Sequence, residues 1–171
     1  DQTCNGELGS TTVENLMVPE GETCTLNETQ VEGNIFIEQN ASLIAYGAHV
    51  EGNIQAETAA QIEIHPGSVI QGNVEVEESG SLFVDSVTIQ GNLLAYYNSG
   101  QQTYTDNVIE GNLEVANNMG GVSIHRNTVE GNLACESNEP APEFSDNMVE
   151  GNREGQCYMD EMDDDDSFDN D

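Results

Sequence analysis

The chain has 171 residues, 33 of them Asp or Glu against two Arg and no Lys, for a formal net charge of −31. Such a composition lacks the basic footprint that nucleic acid, phosphate ligands or an anionic membrane surface require. Apolar residues make up 36% and lie in short pieces, with no run long enough for a membrane span.

The first stretch, residues 1–30, reads as an N-terminal cap with a degenerate first coil over residues 13–30. Within it Val13-Glu14-Asn15-Leu16 looks like a repeat phrase that has lost its glycine. From residue 31 one phrase recurs seven times: an aliphatic residue, Glu or Gln, then Gly-Asn, with glycines at 33, 52, 72, 91, 111, 131 and 151. Successive glycines are 19, 20, 19, 20, 20 and 20 residues apart. A fixed period of this length marks a solenoid.

Within each period the apolar residues alternate with a step of two, as in Ile35-Phe36-Ile37, Ile62-Glu63-Ile64 and Leu113-Glu114-Val115, between turns rich in Gly, Asn and Ser. That pattern predicts very short strands, three per period, and no helix. The predicted fold is an all-β, right-handed parallel β-helix of seven to eight coils. The repeats cover residues 31–158, and an acidic tail follows at 159–171.

Gly-Asn suggests a corner, with Gly allowing positive φ or close approach and Asn tolerating the left-handed region. Stacked at about 4.8 Å, the phrase asparagines Asn34, Asn53, Asn73, Asn92, Asn112, Asn132 and Asn152 form a column. Each side-chain amide is expected to donate to the next, a structural ladder. Two further columns with a spacing of 20 are Asn98, Asn118, Asn138 and Asn107, Asn127, Asn147.

The four cysteines sit at the extremities. Cys4 and Cys24 are 20 residues apart, and Cys135 and Cys157 are 22 apart, close to one coil, so two disulfides are expected to staple the ends. A single four-cysteine zinc site would need the two ends to meet, which a rod forbids. Disulfides point to an oxidising compartment, and the absence of a leader before Asp1 is read as a mature secreted chain.

The second position of the phrase stacks carboxylates at Glu32, Glu51, Glu110, Glu130 and Glu150, with Gln71 and Gln90 between them. The column is either a solubilising face or a collector of hard cations. In the second case the candidate Ca²⁺ ligands are Glu110, Glu130 and Glu150, with Asp163, Asp164, Asp165 and Asp166 of the tail. No dedicated calcium-binding loop is written in the sequence.

Catalysis is not expected. Lyases of acidic sugars need several cationic side chains, and Arg126 and Arg153 are the only strong cations in the sequence. Periods of 19 or 20 residues leave no inserted loop to wall a cleft. His49, His65 and His125 are read as surface or turn residues that share no repeat position. The reading is a structural or surface protein that self-associates into a fibre or layer. The alternative is a carbohydrate or cell-wall binding module using Tyr96, Tyr97, Tyr104 or Phe144.

The two ends carry a resemblance. Cys4, Val18-Pro19-Glu20-Gly21, Thr23-Cys24 and Leu26 open the chain. Gly131-Asn132-Leu133-Ala134-Cys135, Asn138-Glu139-Pro140-Ala141-Pro142, Asn147 to Asn152 and Gly155-Gln156-Cys157 close it. These motifs resemble those of small secreted bacterial β-helix repeat proteins, over about residues 4–157. The resemblance implies a secreted right-handed parallel β-helix and brings no catalytic residue with it.

Overall fold

A computed structural model of the chain describes residues 1–158. All its regular elements are strands, two to five residues long, in three parallel sheets of nine, eight and eight strands. Each strand pairs with the equivalent strand one coil away, so the chain winds as a β-solenoid, as the repeat predicts. The first face holds the strands that follow Gly-Asn, such as Ile35–Ile37, Ile54–Glu57 and Leu113–Ala116. The second face runs through Thr23–Asn27, Ser42–Tyr46, Gln61–Ile64, Ser81–Asp85, Gln102–Thr105 and Val122–His125. The third consists of two-residue strands such as Val69–Ile70 and Val108–Ile109.

The step-of-two pattern becomes columns of like residues inside the coil. Leu16, Ile35, Ile54, Val74, Leu93, Leu113 and Leu133 stand in register on the first face, all at or below 1% exposure. Burying each such side chain contributes about 1.5–3 kcal/mol. Tyr104 and Gln102 also point inward on the second face. The Tyr104 hydroxyl donates to Gln102 Oε1 at 2.7 Å, and Gln102 Nε2 is buried without a hydrogen-bond partner.

Strand pairing starts earlier than the sequence suggests. Gln2–Thr3, Glu7–Leu8 and Thr12–Val13 already pair with the coil above, ahead of the coil expected at 13–30. Most of their side chains face solvent, so no apolar alternation announces them.

The corners show which of the two glycine roles the phrase uses. The phrase glycines do not adopt positive φ; left-handed residues occupy the other two corners instead. One corner has Asn40, Thr58, Glu78, Tyr97, Asn117 and Ser137, and the other has Glu28, Gly47, Gly67, Ser86, Asp106, Arg126 and Asp146. What the phrase requires is close approach. A Cβ at Gly52 would lie 2.5 Å from Gly33 O, well inside contact distance.

Candidate functional site

Both predicted disulfides are present. Cys4–Cys24 and Cys135–Cys157 have Cα–Cα distances of 5.4 and 5.3 Å, each joining neighbouring coils inside the rod. The partners are not stacked in strand register: Gln2–Thr3 pairs with Leu16–Met17, well before Cys24, and Cys135 pairs with Gly155, two residues before Cys157.

The phrase asparagines do form a column, by a different bond from the one expected. The backbone N–H of each donates to the side-chain Oδ1 of the preceding one: Asn53 to Asn34 at 2.8 Å, Asn73 to Asn53 at 2.7 Å, and Asn92 to Asn73 at 2.8 Å. Asn112, Asn132 and Asn152 continue it at 2.8 Å each, and it begins at Asn15. Only Asn92 Nδ2 to Asn73 Oδ1, at 3.3 Å, makes the side-chain link first expected within this column. The column lies at a half-exposed corner, where the amide nitrogen can turn to water.

True amide ladders occupy the two left-handed corners. Each buried Asn directly follows a left-handed residue, as Tyr97-Asn98, Asn117-Asn118 and Arg126-Asn127 show. Asn118 Nδ2 donates to Asn138 Oδ1 at 2.9 Å and to Ala95 O at 3.0 Å, while its Oδ1 accepts the Asn98 N–H at 2.9 Å. Asn107, Asn127 and Asn147 repeat the arrangement. Gln156 closes the first ladder: its Oε1 accepts from the Asn138 backbone and side chain, and its Nε2 donates to Asn138 O. In the N-terminal half small residues hold these positions, with Ser79 Oγ accepting from Ala59 N and Ser68 Oγ from Ala48 N.

Glu110, Glu130 and Glu150 stand exposed, one per coil, beside the phrase glycines. Among the described residues no three His, Cys, Asp or Glu side chains converge to hold a metal ion, so the structure does not bring these three together as a site. A straight column supplies one carboxylate per coil where a calcium cage needs several from different directions. Asp163, Asp164, Asp165 and Asp166 lie outside the described residues.

The aromatic candidates divide. Tyr104 is fully buried, its hydroxyl pushed well above the ordinary range by desolvation, and Phe144 packs against the core. Tyr96 donates to Glu114 Oε2 at 2.8 Å. Burial, then that hydrogen bond, raises its pKa to about 12. Tyr97 is exposed in a corner. The sequence reading missed a different group. On the second face Tyr46 and His65 stack with centroids 4.4 Å apart at 20°, and His65 lies 5.1 Å from Phe83 at 42°. His65 follows Ile64, whose partner Val84 precedes Asp85, and Asp85 pairs through Thr105 with His125. His65 and His125 therefore share a column after all; the 19-residue step from Tyr46 to His65 was the available signal.

Charge is divided among the faces. The first face turns Glu57, Glu75, Glu77, Glu114, Glu136 and Glu154 outward, and Phe36, Gln39, Gln55, Glu57, Glu75 and Glu77 line a shallow open groove there. On the second face the outward acids among the described residues are Glu7, Glu63, Asp85 and Glu143. At the second corner Arg126 is held by Asp106, with Nε to Oδ1 at 3.0 Å, which raises the guanidinium pKa further.

No family model, curated protein or solved structure matches the chain. The resemblance to secreted bacterial β-helix repeat proteins therefore rests on the end motifs, and the structure supports it as far as a parallel β-solenoid.

Proposed function

We propose that the chain is a secreted structural or surface element, a β-solenoid rod that associates with copies of itself into a fibre or layer. The observation that carries this reading is the uninterrupted coil. Three parallel sheets run without interruption from Gln2 to Gly155, and both ends are stapled by disulfides. The two disulfides suit an oxidising compartment, and no described helix is long and apolar enough to cross a membrane.

Association proceeds axially. The strands Gln2–Thr3, Glu7–Leu8 and Thr12–Val13 each have a partner on one side only, leaving strand edges for another copy to extend. These edges are short, and Asp1, Glu7 and Glu14 surround them, so two rods repel until cations screen or bridge the carboxylates. This reading assigns the rod no catalytic step.

The test is electron microscopy and sedimentation velocity of the purified full chain with and without millimolar calcium. Filaments or sheets that form with calcium and dissolve with chelator are expected. Monodisperse particles under both conditions overturn the reading.

A further inference from the structure

We propose that the second face binds a neutral polysaccharide chain lying along the rod axis. The reading begins with the distribution of charge. In a chain of net charge −31, this face presents Thr23, Thr25, Ser42, Ser81, Thr103 and Ser123 where the first face presents glutamates. Its outward acids are Glu7, Glu63, Asp85 and Glu143, against six on the first face, and one of them is already engaged: Glu63 accepts from Gln61 Nε2 at 2.6 Å and lies 3.7 Å from His65 Nε2. The third face also turns Gln30, His49, Val69, Thr88 and Val108 outward without an acid, but as a stripe one residue wide. The second face is broad enough to hold a polymer.

Its chemistry matches sugar on two counts. Hydroxyl and amide side chains recur from coil to coil, and they hydrogen-bond neutral hydroxyl groups without requiring a charge. A stacked run of Tyr46, His65 and Phe83 supplies the apolar part, extending over two coil rises or about 10 Å. Rings stacked coil over coil face one another along the axis. Among the described residues the far side of Tyr46 has no ring partner, and Tyr46 is 44% exposed. The exposed edges of these rings form an apolar strip along the axis, and the C–H groups of a pyranose chain running the same way can lie against it.

Other occupants fit less well. A peptide that augments a sheet needs an open strand edge, and strands such as Ser42–Tyr46 to Val122–His125 are paired on both sides. The face from Thr23–Asn27 to Glu143–Ser145 measures about 29 by 16 Å, roughly 500 Å². A stable protein interface needs about 800 Å² per partner, and a second copy brings another 31 negative charges. Anionic glycans meet the same field. A neutral, extended chain satisfies all three limits.

The test is depletion of the full chain by microcrystalline cellulose, chitin and insoluble mannan, with polygalacturonate as the anionic control. Binding to at least one neutral polymer and none to polygalacturonate is expected. The double variant Tyr46→Ala/Phe83→Ala weakens it at least tenfold. Thr103→Glu/Ser123→Glu, which adds charge without removing packing, does the same, and Phe36→Ala on the first face leaves binding unchanged. Binding to no neutral polymer, or equal loss with Phe36→Ala, overturns the proposal. So does a dimer in glycan-free sedimentation that the second-face variants abolish, since a second copy would then own the face. Fibre formation, read in glycan-free samples, can fail or succeed separately.

Discussion

Replacing Asn118 by Ala separates the inner amide ladders from the Gly-Asn column. Asn118 is 1% exposed. The change removes its bonds to Ala95 O and Asn138 Oδ1, and it leaves the buried Asn98 N–H without the acceptor it had at 2.9 Å. Two lost bonds at about 1 kcal/mol each and one orphaned donor at about 1–3 kcal/mol sum to roughly 3–5 kcal/mol. Asn112→Ala is the matched control six residues away. It deletes one acceptor, for the Asn132 N–H at 2.8 Å, at a half-exposed corner where water can substitute, so the loss is about 1 kcal/mol. Urea unfolding followed by circular dichroism reads both, and at a slope of about 2 kcal/mol/M the midpoints fall by roughly 2 M and 0.5 M. Equal shifts, or a larger one for Asn112→Ala, would refute the assignment of stability to the left-handed corners.

Gly111→Ala places a Cβ 2.6 Å from Gly91 O and destabilises by about 3 kcal/mol or more, while Gly9→Ala, with nothing within 4 Å, is close to neutral; thermal melts compare them. Reducing the disulfides removes about 3 kcal/mol for the 20-residue Cys4–Cys24 loop, and hydrogen exchange should show the terminal coils losing protection before coils 54–109. Gln102→Leu with Tyr104→Phe exchanges a buried, half-satisfied pair for apolar groups and leaves denaturant stability equal or higher. In alkaline titration followed by tyrosinate absorbance, Tyr96 ionises near pH 12 and Tyr104 later, with unfolding. Because both folded pKa values exceed the unfolded value near 10, their contribution is intact below pH 10 and is lost as pH climbs above it.

The repeat phrase made the fold legible because close approach at Gly and register at Asn recur once per coil. It left two roles open for the glycine, positive φ or close approach, and Gly52 takes the second by having no Cβ beneath Gly33 O. The left-handed corners are harder to see, since Thr58, Glu78, Tyr97 and Arg126 share a conformation without sharing a side chain. The aromatic run was hidden by phase. In Leu82-Phe83-Val84 every residue is apolar, so only the pairing of Phe83 with Glu63 and Thr103 shows that its ring faces outward. In Gln102-Thr103-Tyr104 the inward positions are a polar residue and a tyrosine, which inverts the usual cue for the buried side of a strand. Residues 2–13 lack apolar alternation, so their coil is known only from its pairing.

The central claim, that the rod is an element of axial assembly, is tested most directly by X-ray diffraction from fibres grown with calcium and aligned. Coils stacked along the fibre axis place the reflection near 4.8 Å on the meridian. A 4.8 Å reflection on the equator, or specimens that yield no fibre, would contradict it.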